Sequence, residues 1–273
     1  MSATPVNTFF VEGVAFWAPT LPGWSTARAA FRGDGAAADP PAKRPAPELL
    51  AAAERRRAPD TVALALEVAA AAVREAGLEP GSLPSIFTSA HGDLAVYDYM
   101  CRTLASQPAL ISPTKFHNSV HNAAAGYWTI GTGCMAASSA LTAFDASFAA
   151  GLLEAATQCA TDARPVLLVA YDVEALGPLA TVTTSRGLVA AALVLAPSPS
   201  ERSVAAFEWS LAAGPSRPLP PCSSAAKALA CNAIADALPF FEGIAAAAGA
   251  PLNLPLSSRL ALHLRPRALP LSS

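Results

Sequence analysis

The chain has 273 residues, with 53% hydrophobic and 14% charged side chains, 25 prolines and a mean hydropathy of +0.37, too apolar for an intrinsically disordered protein. Eighteen basic and 20 acidic residues give a net charge of −2 and a pI near 6.1, which argues against a nucleic-acid binder relying on phosphate neutralisation. Alanine supplies roughly a quarter of the chain, so the hydropathy overstates the core that these side chains can build. The longest apolar runs, 63–73 and 187–195, fall short of the ~20 residues that span a bilayer. Met1–Phe10 lacks the basic residues that open a secretory signal. Five cysteines, odd in number and never spaced CxxC, oppose a disulfide framework or a zinc site and suit a reducing cytoplasm.

In chain order, 11–16 reads as a first strand, and the Gly-, Ala- and Pro-rich 33–47 as an exposed connection. Arg55, Arg56 and Arg57 read as a solvated face, with an acidic partner as the alternative. Asp60 is placed as N-cap of a helix with Val62, Leu66, Ala70 and Val73 at helical spacing and Gly77 at its end. A strand at 85–89 and a helix at 94–105 follow, then a polar, Pro-marked loop from 107 to 122. A buried strand is expected at 139–144, and Asp145 then precedes a helix through Cys159. Fully apolar strands follow at 166–170 and 188–195, the pattern of a mostly parallel sheet with packed helices. The last third reads as a strand at 204–211, a helix from Ser223 or Ser224 to about 237, limited by Pro239, and a strand at 259–264.

Candidate chemistry is sparse. His117 and His121 have the i, i+4 spacing of zinc ligands on a helix, but no HExxH glutamate or third ligand accompanies them, so no metal is expected. His91 and His263 read as locally bonded and structural. Cys134, in Gly131-Thr132-Gly133-Cys134, could be a nucleophile on a tight turn or an inert thiol. GxSxG, P-loop and GxGxxG signatures are absent from the sequence, and no cofactor is implied.

Residues 112–149 resemble the N-terminal half of a β-ketoacyl-ACP synthase. Asn122, Ala123, Gly126, Ile130 and Gly133 fall on matching positions, Thr129 replaces the usual serine, and Ala136-Ala137 replaces a Gly-Pro pair. The likeness extends over about residues 8–197, through VEGVAFWAP, SIFTSAHGD and VLLVAYD. It implies a thiolase-like layered α/β fold, truncated, with a ketosynthase N-terminal-like domain at 1–197 and a shortened strand–helix–strand remnant at 198–273 on the same core. Counted without a gap, the nucleophile position falls on Asp145, and the two histidine motifs of a working enzyme have no counterpart after residue 200.

Decarboxylative condensation needs a thiolate to carry the acyl chain and donors to stabilise the enolate. A carboxylate cannot carry it, and Asp145 reads as a helix cap before it reads as a catalytic acid. The resemblance therefore implies a catalytically inactive chain length factor of a type II polyketide, aryl-polyene-like system. Such a protein pairs with an active ketosynthase and meets acyl carrier protein indirectly. It also implies that Phe116, His117, Val120, His121 and Tyr127 lie at the interface or acyl tunnel. The alternatives are an acyltransferase or thioesterase using Cys134, and a scaffold homodimer.

Overall fold

The computed structural model describes residues 7–214, 217–247 and 249–269; the start of the Met1–Phe10 stretch lies outside them. Its strands are β1 (Asn7–Ala18), β2 (Leu21–Pro22), β3 (Ser85–Thr88), β4 (Ser138–Leu141), β5 (Val166–Asp172), β6 (Val189–Ala196), β7 (Ala205–Ala213), β8 (Leu252–Ser257) and β9 (Leu260–Arg267). Its helices are α1 (Trp24–Arg32), α2 (Ala52–Arg57), α3 (Asp60–Ala76), α4 (Leu94–Ser106), α5 (Pro113–His117), α6 (Ala123–Thr132), α7 (Ser147–Asp162), α8 (Ser224–Lys227) and α9 (Leu238–Ala246). The strands form one sheet in the order β4-β3-β5-β6-β1-β7-β9-β8, with β2 paired to β1. Strands from both ends of the chain therefore share one ladder, since β7 pairs with β1 and β9 with β7.

Alternation along the central strands builds two cores. In β5, Val166, Leu168 and Ala170 face the layer containing α1, α7 and α9, whereas Leu167, Val169 and Tyr171 face α3 and α6. β6 divides the same way, with Leu193 and Leu195 in the first core and Ala192 and Val194 in the second. In β1 the parity changes: Val11 and Val14 share one core, because the register with β6 shifts between Val11 and Gly13. Such a bulge adds one residue and re-aims the side chains beyond it.

The sheet is mixed, not mostly parallel as expected: β3 is parallel to β4 and β5, and every other pair is antiparallel. The reason lies in the connections. A parallel neighbour needs a crossover, commonly a helix, but between β5 and β6 lies only a 3-10 turn at Gly177–Thr181. Other expectations also shift. Asp60 is the first helical residue of α3, behind Pro59, and its carboxylate meets Arg44 at 2.6 Å. The 107–122 loop contains α5, whose Ser112 side chain accepts the Lys115 N–H. The helix expected from 223 to 237 stops at Lys227, and Pro239 sits in the first turn of α9, where a missing N–H costs nothing.

Close packing holds α3 on the sheet. A Cβ built at Gly13 would lie 2.1 Å from the Ala72 carbonyl oxygen and 3.2 Å from Ala76 Cβ. Gly126, in α6, faces open space. Gly13→Ala is therefore expected to lower stability by about 3 kcal/mol, the upper range for overpacking. Gly126→Ala should be neutral or raise it by up to about 1 kcal/mol through helix propensity. Urea denaturation of the two variants against the parent chain checks this ordering.

Candidate functional site

The turn from β4 into α7 carries the position that sequence reasoning singled out. Phe144 there has φ 48°, a conformation bulky residues rarely adopt, and its ring is 69% exposed. Ser147 pins the turn, its Oγ accepting the Ala143 N–H at 3.0 Å and donating to the Phe144 carbonyl at 2.7 Å. Asp145 is exposed and makes no capping bond to α7, contrary to the expected cap. It precedes the N-cap residue, Ala146, by one position and so stands outside the reach of the first free N–H groups.

The cap comes instead from far along the chain. Asp236 Oδ2 accepts the Ala149 N–H at 3.2 Å, while its Oδ1 is enclosed without a partner. Burial pushes its pKa up to about 8, against the pull of the Ala149 and Phe148 N–H groups and with a further push from Asp172 and Asp145. Around neutrality this carboxyl is therefore substantially protonated. A second buried carboxyl, Asp172 at the end of β5, accepts from Ser89 Oγ and the Ala90 N–H, both at 2.8 Å. Burial raises it to about 6 against those donors, and it fixes the turn that carries His91. His91 Nε2 lies 2.9 Å from Thr183 Oγ1, and desolvation lowers its pKa, with Asp145 opposing.

A cavity of about 600 Å³ opens over this turn, lined among others by Asp145, Thr183, Pro220, Cys231, Asn232 and Asp236. Asn232 is occupied internally, its amide donating to the Arg186 and Gly187 carbonyls at 3.0 and 3.2 Å. Cys231 is exposed, and no base is hydrogen-bonded to its thiol among the described residues. Neither a phenyl ring nor a carboxylate at the turn can carry a thioester. Cys134 is buried at the opposite kind of helix end: it follows Gly133, the left-handed cap of α6, and its thiol points to the Leu83 carbonyl at 3.4 Å. Among the described residues no base is hydrogen-bonded to this thiol.

The five residues expected at an interface or tunnel gather around α5 and α6. His117, Val120 and Tyr127 line a cavity of about 250 Å³ with Leu50, Glu54 and Ile130. The rings of His117 and Tyr127 meet edge to face at 6.1 Å. His121 lines a neighbouring cavity of about 460 Å³ with Thr129, Ser138 and Ala140, its Nε2 lying 3.0 Å from the Ser89 carbonyl oxygen. Phe116 lines neither and stands 61% exposed on α5. Exposed apolar side chains concentrate in this region, with Leu104, Leu110, Phe116, Val120, Ile130 and Met135 all uncovered, the last at 95%. Beside them β4 ends the sheet, and register places the Ser138 and Ala140 N–H groups on its free side. Asp236 and Asp172 escaped sequence reasoning, since lone carboxylates far from their partners carry no spacing signal. Among the described residues no cluster of three or more His, Cys, Asp or Glu side chains could hold a metal ion, and no helix is long and apolar enough to cross a membrane.

The architecture is a shortened thiolase-like α/β fold of the ketosynthase type. The chain belongs to the family described as beta-ketoacyl synthase, N-terminal domain, which matches residues 24–234. Among solved structures it is similar to a chain of the ketosynthase (ApeO) in complex with its chain length factor (ApeC) from Xenorhabdus doucetiae. That match has 23% identity and a TM-score of 0.72 and covers 94% of this chain and 99% of that one. The ishigamide ketosynthase/chain length factor gives 14% identity and a TM-score of 0.68 over 94% and 99% of the two chains. A chain of AntDE:AntF, a type II polyketide synthase acyl-carrier protein in complex with its ketosynthase, gives 10% and 0.71 over 95% and 99%. No curated protein sequence matches.

The buried carboxyls set a pH dependence. A carboxyl raised on folding lends stability that is complete below its unfolded pKa and is lost as pH rises through the folded one, here from about 4 to about 8 for Asp236. Asp236→Asn keeps an acceptor for the Ala149 N–H without the titration. Its urea midpoint relative to the parent chain is expected to climb between pH 5 and pH 8.5; a constant difference would contradict the assignment.

Proposed function

We propose that the chain is a non-catalytic, ketosynthase-like chain length factor that pairs with an active β-ketoacyl-ACP synthase in type II polyketide synthesis of the aryl-polyene kind. The observation that carries this reading is the turn at Phe144–Asp145, which offers no nucleophile and leads into a helix whose N-terminus is closed by the chain's own Asp236. A condensing enzyme needs that place for a thiolate and an acyl group. The similar solved structures that pair a ketosynthase with a chain length factor support the same reading.

In this reading the partner covers the free edge of β4 and the apolar side chains beside it. An uncharged edge strand without proline, bulge or covering element is a template for another strand. Tyr127, His117, Val120 and Phe116 then shape the wall of the partner's acyl tunnel, with His121 behind them, and acyl carrier protein is met through the ketosynthase. Chain length is set by how much room these side chains leave.

Co-expression with the pathway's ketosynthase is expected to yield a stable heterodimer in which the ketosynthase alone takes up an acyl group. Ala140→Pro removes a free-edge N–H without touching the ladder to β3 and should abolish that heterodimer, while circular dichroism of the variant stays native. Within the heterodimer, Tyr127→Ala and Phe116→Ala should lengthen the products seen by mass spectrometry. A monomer under all co-expression conditions would sink the reading, and an unchanged product distribution would remove Tyr127 and Phe116 from the tunnel wall.

A further inference from the structure

The basic stretch around α2 has no part in the arrangement above. From 43 to 57 the chain carries Lys43, Arg44, Arg55, Arg56 and Arg57 against Glu48 and Glu54, a local charge of +3 in a chain of net −2. Arg44 is committed internally, to Asp60 and to the carbonyls of Ala58 and Pro59. Lys43 and the three consecutive arginines make no ion pair among the described residues. Arg56 and Arg57 are exposed, while Arg55 is half-buried with its Nε–H enclosed and lacking an acceptor.

Position gives this charge a meaning. Leu49 packs so closely on α6 that its side chain lies 2.8 Å from a Cβ built at Gly131. Leu50 and Glu54 line the cavity that also holds Val120, Tyr127 and Ile130. The cationic strip thus borders the exposed apolar side chains of α6 and the segment before it. An apolar centre beside an arginine-bearing polar rim is the anatomy of a protein interface. Consecutive helical residues point about 100° apart, so the three guanidinium groups diverge and cannot converge on one small anion. They suit an extended surface of carboxylates.

We propose that Lys43, Arg55, Arg56 and Arg57 form an electrostatic docking rim that reads an acidic strip on the ketosynthase partner and steers the two subunits together. This rests on the heterodimer reading and adds to it the sign and place of the partner's charge. Rim charges act chiefly on the association rate and its salt dependence, and little on dissociation.

The test is stopped-flow association of the full chain with its ketosynthase at 50 and 500 mM NaCl. The triple variant Arg55→Gln, Arg56→Gln, Arg57→Gln should associate about tenfold more slowly at 50 mM, with the gap closing at 500 mM and dissociation within about twofold of the parent. The corresponding triple Lys variant keeps the charge and should stay near the parent rate, which separates a charge effect from misfolding. A Gln variant that associates at the parent rate at 50 mM, or a gap that persists at 500 mM, overturns the docking rim and leaves the heterodimer standing. Loss of self-association or of duplex-DNA binding in the Gln variant, with ketosynthase association unchanged, also overturns it. Failure of the parent chain itself to bind the ketosynthase overturns both readings.

Discussion

The approach of α3 to β1 at Gly13 is the contact on which the rest of the molecule depends. The Ala72 carbonyl lies where a Cβ would otherwise be, so the helix backbone rests directly on the strand. The register shift beside Gly13 turns the following residues over, sending Val14 and Phe16 to one core and Ala15 and Trp17 to the other. With α3 seated this low, α6 can pack across it through Trp128 and hold its outer side chains at the level of the β4 edge. Displacing α3 would move the whole face that the proposed partner meets.

The alanine-rich composition acquires two separate explanations. Inside, Ala65, Ala69, Ala72 and Ala76 of α3 face Ala190 and Ala192 of β6 or their neighbours, where small side chains permit close layers. Such packing gains dispersion contacts and gives up transfer free energy per residue. Outside, seven of the twelve exposed large hydrophobic side chains among the described residues lie in 104–144, as expected of a surface that another protein covers.

Elements with contrast between their faces, or with unbroken β-branched and leucine runs, were legible in the sequence. β3, β5, β6, α3 and α4 lie within a few residues of where patterning placed them. α6 and α9 were not legible, because apolar residues surround them: α9 buries Leu238, Phe240, Phe241, Ile244 and even Glu242, and leaves no polar face to mark a period. α1 begins at Gly23 without a side-chain cap, and β8 contains Pro255, each missing its usual signal. Strand direction was hidden in the connections and not in the strands. At the site, motif spacing pointed to the turn before α7, and His117, Val120 and Tyr127 line one cavity. The strained backbone falls on Phe144, one residue before the gapless count, and conformations of that kind are invisible to counting.

The bond from Asp236 to the start of α7 has a consequence for the history of the fold. A condensing enzyme that lost only its nucleophile could regain function by a single codon change. Here the end of the helix is already sealed by a carboxyl from a segment 87 residues away, backed by the Pro-rich wall of the cavity. Restoring a cysteine at the turn would leave it facing a helix end whose Ala149 N–H is already taken, beside a protonatable neighbour. On the proposed non-catalytic reading, a return to activity would need change at two places distant in the chain, the turn and Asp236, which acts as a ratchet against reversion.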